Sequence, residues 1–327
     1  MPGMTWGWMF VTLKLNRFEL LVAIAGALII GTWAAYIVVS LGAIAVPDGC
    51  IDGWIGASDP RPQCLPAMND WASLLVSGSA DLLWWAQIIP FVIGIVAGAP
   101  IIAREVELGT AHTTWTLFSS RSRWLVSQLV PVMVAIAIAV AAASVATELV
   151  AGLRERVGLA VISDIGMHGL TFAMRVAAAF GVGLLVGAVV ARSVPSVVIG
   201  VVVFVLVIGV LGVAREAWFA NQPRAALDPD DATAVTTTWL WRDPTGELVT
   251  DEIAMSTVPA DVAALDRGSA QAVESMNWLE GAGYDLVPVG ITQDQALGWQ
   301  PYEAGILAML CVGSVSSTFL VVRRRRI

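Results

Sequence analysis

The chain has 327 residues, of which 57% are apolar and only 13% charged, and its formal net charge is −8. Its mean hydropathy is +0.77. Soluble domains are about a quarter charged residues, so this balance excludes an ordinary soluble enzyme and places the chain in a bilayer; without a basic stripe on a folded face, nucleic-acid binding finds no support either.

A helix needs roughly 20 apolar residues to cross the hydrocarbon. Six runs qualify, at residues 18–45, 82–103, 125–151, 169–191, 194–214 and 301–322. Ahead of the first, residues 4–17 place Trp6, Phe10 and Leu13 near helical spacing, with Thr5, Thr12 and Asn16 on another side. That pattern predicts an amphipathic elbow helix on the inner interface. Lys14 and Arg17 before the run, with Ala43 to Pro47 after it, imitate a secretory signal. A signal's apolar region is only about 7–15 residues, so the longer run from Leu20 reads as an uncleaved anchor.

The loop from Pro47 to Asp81 is rich in Gly, Pro and Asp and reads as turns, apart from a short helix around Met68 to Val76. It holds Cys50 and Cys64, and an oxidising exterior favours a disulfide between them, worth about 3 kcal/mol for a loop of that size. Cys311, in the last run, reads as a small packing residue. "GIVAG" (Gly94 to Gly98) and "GLLVG" (Gly183 to Gly187) are small-x3-small patterns, packing features first and a dimer face second.

Between runs two and three lies "AREVELGTAHTTWTLFSSRSRW", residues 103–124. Leu108, Ala111, Trp115 and Phe118 recur every three or four residues and share one side of a helix; Glu107, Thr110 and Thr114 occupy the other. Such a helix lies on lipid or docks in a partner's groove. Arg121 and Arg123 then fall at phosphate level, with Trp124 as an interfacial anchor.

Glu148 and Arg175 fall at similar depth if runs three and four are antiparallel neighbours, and intramembrane charges face inward and pair. A Glu148–Arg175 ion pair is therefore expected, whereas Arg215, Glu216 and Glu303 at helix ends read as solvated. Residues 218–300 form the sizeable polar segment: 13 of the 26 acidic residues lie there, against Arg224, Arg242 and Arg267. Pro244-Thr245-Gly246 marks a turn between two short strands, and a helical stretch follows near Ser269 to Leu279. The segment is marginal for folding alone, so a small α/β cap leaning on the membrane part is expected. The chain divides accordingly into a transmembrane domain (1–217), the acidic cap (218–300), and a sixth span with a basic tail (301–327).

Orientation follows the basic residues. With both termini inside, the inner segments hold Lys14, Arg17, Arg104, Arg121, Arg123, Arg192 and Arg323 to Arg326, which satisfies the positive-inside rule. The cap is then extracellular.

The stretch Gly98 to Leu129, "GAPIIAREVELGTAHTTWTLFSSRSRWLVSQL", resembles the inner loop of actinobacterial permease subunits of type-2 ATP-binding-cassette (ABC) exporters, in its Ala-Arg-Glu-x-Glu-x-Gly-Thr opening, its Trp-Thr and its Ser-Arg-x-Arg-Trp. The layout of elbow, six spans and short inner loops is similar too. The resemblance implies an all-α polytopic permease of the bacterial plasma membrane that exports an amphipathic drug, peptide antibiotic or lipid. It implies that the helix after span two is a coupling helix seated in a cytoplasmic ATPase subunit, with Glu105, Glu107, Gly109, Thr110, His112 and Trp115 forming the contact and Arg104, Arg121 and Arg123 setting its depth. Two ATPase copies and a second permease copy, in a homodimer, are the implied partners. The long insertion at 218–300 departs from the family's short re-entrant helices.

A phosphate-cradling loop needs Gly-x4-Gly-Lys-Ser/Thr, and Lys14 is the one lysine. The chain therefore carries no such ATPase site and no cofactor, and ATP and Mg belong to the partner. No Cys/His/carboxylate cluster has metal-ligand spacing, and no nucleophile elbow is present. Two other readings stand beside transport. Asp48, Asp52 and Asp59 could serve an outward-facing glycosyl- or phosphotransferase, though without a basic cluster for a lipid phosphate; the acidic outer region could also sense cationic peptides.

Overall fold

The computed structural model describes residues 12–44, 70–71, 73–110, 120–156, 166–222, 225–226, 235–259, 262 and 269–324. The disulfide expected between Cys50 and Cys64, most of the elbow, and His112 and Trp115 lie outside them.

Six helices are long and apolar enough to cross a membrane: α1 (Arg17–Ala43), α2 (Ser79–Glu107), α3 (Arg121–Arg156), α4 (Gly169–Val190), α5 (Ser193–Ala220) and, last in the chain, α9 (Gln300–Arg324). This is a mostly helical, multi-pass membrane protein. The apolar runs mark the helices closely, because in hydrocarbon a single segment can satisfy its own backbone polar groups only as a helix. The largest difference is at α3, which continues to Arg156, and at α5, which continues six residues past Ala214 into the segment assigned to the cap. A π-helical turn, Leu74–Gly78, leads into α2.

α4 sits at the centre, packed on α2, α9, α5 and α3, while α1 lies against α3 and α2. Close approach of α2 and α4 is what the glycine patterns allow. A Cβ at Gly98 would run into the Phe180 carbonyl oxygen, and one at Gly187 into that of Ala99. Two apolar cores result. One joins α1 to α4 through Ile30, Ile37, Leu82, Ile93, Trp124, Leu125 and Phe172; the other joins α2, α4, α5 and α9 through Ile95, Ala179, Phe204 and Leu307. Trp124, expected as an interfacial anchor, is wholly buried in the first. α5 is apolar on every side and least enclosed, with Val198, Val202, Leu206, Val210 and Val213 exposed. Lipid tails are as apolar as these side chains, so no water is offended.

Between α5 and α9 the chain forms a four-stranded antiparallel sheet in the order β1-β4-β2-β3: β1 (Ala225–Ala226), β2 (Val235–Arg242), β3 (Leu248–Val249) and β4 (Asp285–Ile291). The turn at Asp243 to Glu247 joins β2 to β3. Asp243 Oδ1 accepts hydrogen bonds from the Thr245 hydroxyl at 2.7 Å and from the Thr245 and Glu247 N–H groups; the Thr245 hydroxyl first, then the backbone donors, hold this carboxyl below its usual range. Helices α6 (Asp251–Ser256), α7 (Ser269–Gly281) and α8 (Gln293–Leu297) complete the region. Trp241, Ala254, Val258 and Leu279 form its small core. A second cluster, Phe219, Ile291, Ala296 and Trp299, fastens the sheet to the end of α5 and the start of α9.

Candidate functional site

The charged segment after span two starts where burial stops. Ala103 is the last fully buried residue of α2, and Arg104, Glu107, Leu108, Gly109 and Thr110 are exposed. The helix closes on Gly109, whose φ of 69° is left-handed. Its N–H donates to the Val106 carbonyl at 3.1 Å and that of Leu108 to the Arg104 carbonyl at 3.0 Å, capping carbonyls that a helix end leaves open. The Thr110 hydroxyl donates to Glu105 Oε2 at 2.7 Å. Glu105 is thus folded back along its own turn.

Glu107, expected in the partner contact, is engaged inside the chain. Its Oε2 accepts from the Ser193 N–H at 2.9 Å and the Ser193 hydroxyl at 2.8 Å. A carboxylate at the first turn of a helix meets unpaired N–H groups and the positive end of the dipole, so Glu107 fastens the end of α2 to the start of α5. Arg121 makes a similar tie: its Nη1 donates to the Val322 and Arg323 carbonyls, both at 3.4 Å, at the C-terminal end of α9. Arg123 is exposed and donates its backbone N–H to Ser120 Oγ at 3.2 Å, which starts α3. Lys14, Arg17 and Arg104 line a groove of about 540 Å³ beside Leu15 and Phe18.

The opposite end of the bundle carries the polar clusters. The expected pairing of Glu148 with Arg175 is corrected: each has a different partner. Arg175 donates from Nε at 2.9 Å and Nη2 at 2.6 Å to Glu303 Oε1, and Trp299 Nε1 donates to Glu303 Oε2 at 3.1 Å. Both charged side chains are enclosed, at 9% and 2% exposure. The physical reason is that α9 as well as α3 packs against α4, and α9 delivers a carboxylate one turn from its start. Glu303, read as a solvated rim residue, is instead the buried counter-ion. Gly166 (φ 85°) leaves room for the guanidinium, since a Cβ there would strike Arg175 Nη2. A cavity of about 180 Å³ beside this pair is also lined by Gln87 and Arg215.

Glu148 Oε2 meets His168 Nδ1 at 2.8 Å; His168 is nine-tenths buried and Glu148 largely exposed. Nearer the ends of the helices, the buried Arg154 donates to Ser79 Oγ at 2.5 Å, linking α3 to α2. Beside Glu148 and His168 opens a cavity of about 1010 Å³ between α1, α3, α4 and α9.

Six apolar spans around buried polar ties define a multi-pass membrane protein. Residues 9–215 match the family described as ABC-2 membrane transporter related, well over half of the chain, and the protein belongs to that family. The match takes in α1 to the C-terminal part of α5 and stops short of the sheet. No curated protein and no solved structure matches the chain. Sequence reasoning missed Glu303, Trp299 and Ser193 as partners; the signal for the first two was present in "GWQPYE", where Trp299 and Glu303 fall four apart at a helix start.

Proposed function

We propose that this permease is the membrane half of an ATP-driven exporter of amphipathic molecules. It is a plasma-membrane protein with both termini cytoplasmic, and the sheet region stands outside. The observation that carries the reading is the exposed end of α2 within the family-matched stretch: an apolar Leu108, 65% exposed, set among charges and a left-handed glycine is the composition by which a helix end docks in a partner's groove. The partner is a cytoplasmic ABC ATPase that supplies ATP and Mg, in two copies on a permease homodimer of the actinobacterial type. Arg104, Glu105, Gly109 and Thr110, with His112 and Trp115 beyond the described residues, contribute the contact. Arg121 and Arg123 hold its depth. Glu107 transmits the contact, because closure of the ATPase on the end of α2 would be felt at once by α5 through Ser193.

The test is purification of the tagged chain from its own membranes in mild detergent, with intact-complex mass spectrometry. An ATPase subunit in equal number, lost in Trp115→Ala and Leu108→Ala, is expected. A chain that emerges alone or only with itself under all conditions overturns the reading.

A further inference from the structure

We propose that the cavity of about 1010 Å³ between α1, α3, α4 and α9 binds an amphipathic cation that carries N–H donors, such as a protonated amine on an aromatic or aliphatic body. This deepens the export reading above, naming the class of molecule exported, and rests on it.

The volume is that of a site for drug-sized ligands, which occupy roughly 300–1,000 Å³. Its walls are apolar side chains, among them Val38, Val145, Leu149 and Leu170. They offer a large neutral surface to a hydrophobic body. At one point this wall changes character, where Glu148, His168 and Ser144 come together.

The hydrogen-bonding state of that polar point selects the ligand. An ionised carboxylate only accepts, so the hydrogen in the Glu148–His168 contact sits on Nδ1. Glu148 uses Oε2 toward His168, and its charge meets no Lys or Arg side chain among the described residues. One ammonium group, with several N–H donors and a positive charge, satisfies the carboxylate, whose side chain is 61% exposed. An anion would meet Glu148 with like charge, and a neutral alcohol would leave that charge unanswered.

The backbone is fitted to this arrangement. Gly169 has a φ of 57° and a Cβ there would occupy the place of Glu148 Oε2, so glycine at the start of α4 is what admits the carboxylate. One turn from Glu148 on the same helix, Gly152 lines the cavity with open space around its Cβ position, nothing lying within 4 Å. A larger side chain there would crowd the approach to the carboxylate without disturbing what encloses the cavity.

The experiment uses the full chain in lipid nanodiscs and three probes of one shape: 2-(1-naphthyl)ethylammonium, 2-(1-naphthyl)ethanol and 1-naphthylacetate, with binding followed by equilibrium dialysis. Saturable binding of the ammonium is expected, about tenfold tighter than the alcohol, as one charge-assisted hydrogen bond gives, with none for the carboxylate. Glu148→Gln should reduce the ammonium to the level of the alcohol, and Gly152→Leu, by crowding the carboxylate, should weaken ammonium binding while leaving the thermal unfolding midpoint in place. Should Glu148→Gln fail to fold, Gly152→Leu decides. Equal binding of the three probes, binding indifferent to Gly152→Leu, or a tightly held zwitterionic phospholipid that the ammonium does not displace each overturns the proposal. Binding needs no ATPase, so its failure in a preparation that still captures the ATPase overturns this inference alone. Loss of the ATPase with binding intact overturns the export reading alone.

Discussion

Arg175 and Glu303 are 128 positions apart and share a bond of 2.6 Å in the enclosed interior of the bundle. Three donors converge on the two oxygens of Glu303, one of them from Trp299 on the preceding turn. That saturation is what makes a buried charge tolerable, since either member alone would be stranded. Glu303→Ala should therefore destabilise the protein by about 3–5 kcal/mol, read as a fall in the thermal unfolding midpoint in detergent. The double replacement Arg175→Met with Glu303→Leu should recover most of that loss, because it removes both desolvation costs together. Additive losses in the cycle would show that the two residues stabilise independently. The sequence announced that Arg175 needed an inward carboxylate, since an arginine in an apolar run has few other options. It did not announce which one. Glu148 stood nearer in the chain, and the choice was made by α9, whose packing against α4 is a tertiary fact with no local signature.

At the scale of helices, legibility depends on the kind of signal. The spans were readable to within a few residues because each is a long apolar run with an arginine at one end at least, and in hydrocarbon a single segment can satisfy its own backbone only as a helix. The glycine patterns of α2 and α4 were readable as close-packing surfaces, but a small residue does not name its neighbour. In the structure the two patterns face each other. Gly187→Ala places a methyl against the Ala99 carbonyl on the backbone of α2, where no side chain can swing away. A loss of about 1–3 kcal/mol is expected. Gly212→Ala, on α5 with nothing within 4 Å of the new Cβ, should be neutral or stabilise by about 0.4–1 kcal/mol through the lower freedom of the unfolded chain. Thermal unfolding of the two variants side by side checks the contrast, and equal shifts would count against the α2–α4 contact as the tightest in the bundle.

For the molecule as a whole, the two ends of the bundle differ in chemistry. One end holds the ties of Glu107 to Ser193 and of Arg121 to the last carbonyls of α9, beside exposed Arg104, Arg123, Arg323 and Arg324. The other holds the buried pair, the Glu148–His168 contact and the acidic sheet region. Basic residues are retained on the cytoplasmic face during insertion, whereas acidic loops cross with little penalty. The difference in charge between the ends therefore argues an orientation, even though the bundle itself would pack equally well either way up. It is checked by single cysteines placed in a chain whose own three cysteines have been replaced. Ser256→Cys sits on the exposed side of α6 and Thr110→Cys at the exposed end of α2. A membrane-impermeant maleimide applied to intact cells should label the first and leave the second untouched until the membrane is opened. Labelling in the reverse order would turn the bundle over. It would place the groove of Lys14, Arg17 and Arg104 outside, and remove the exposed end of α2 from reach of any cytoplasmic ATPase.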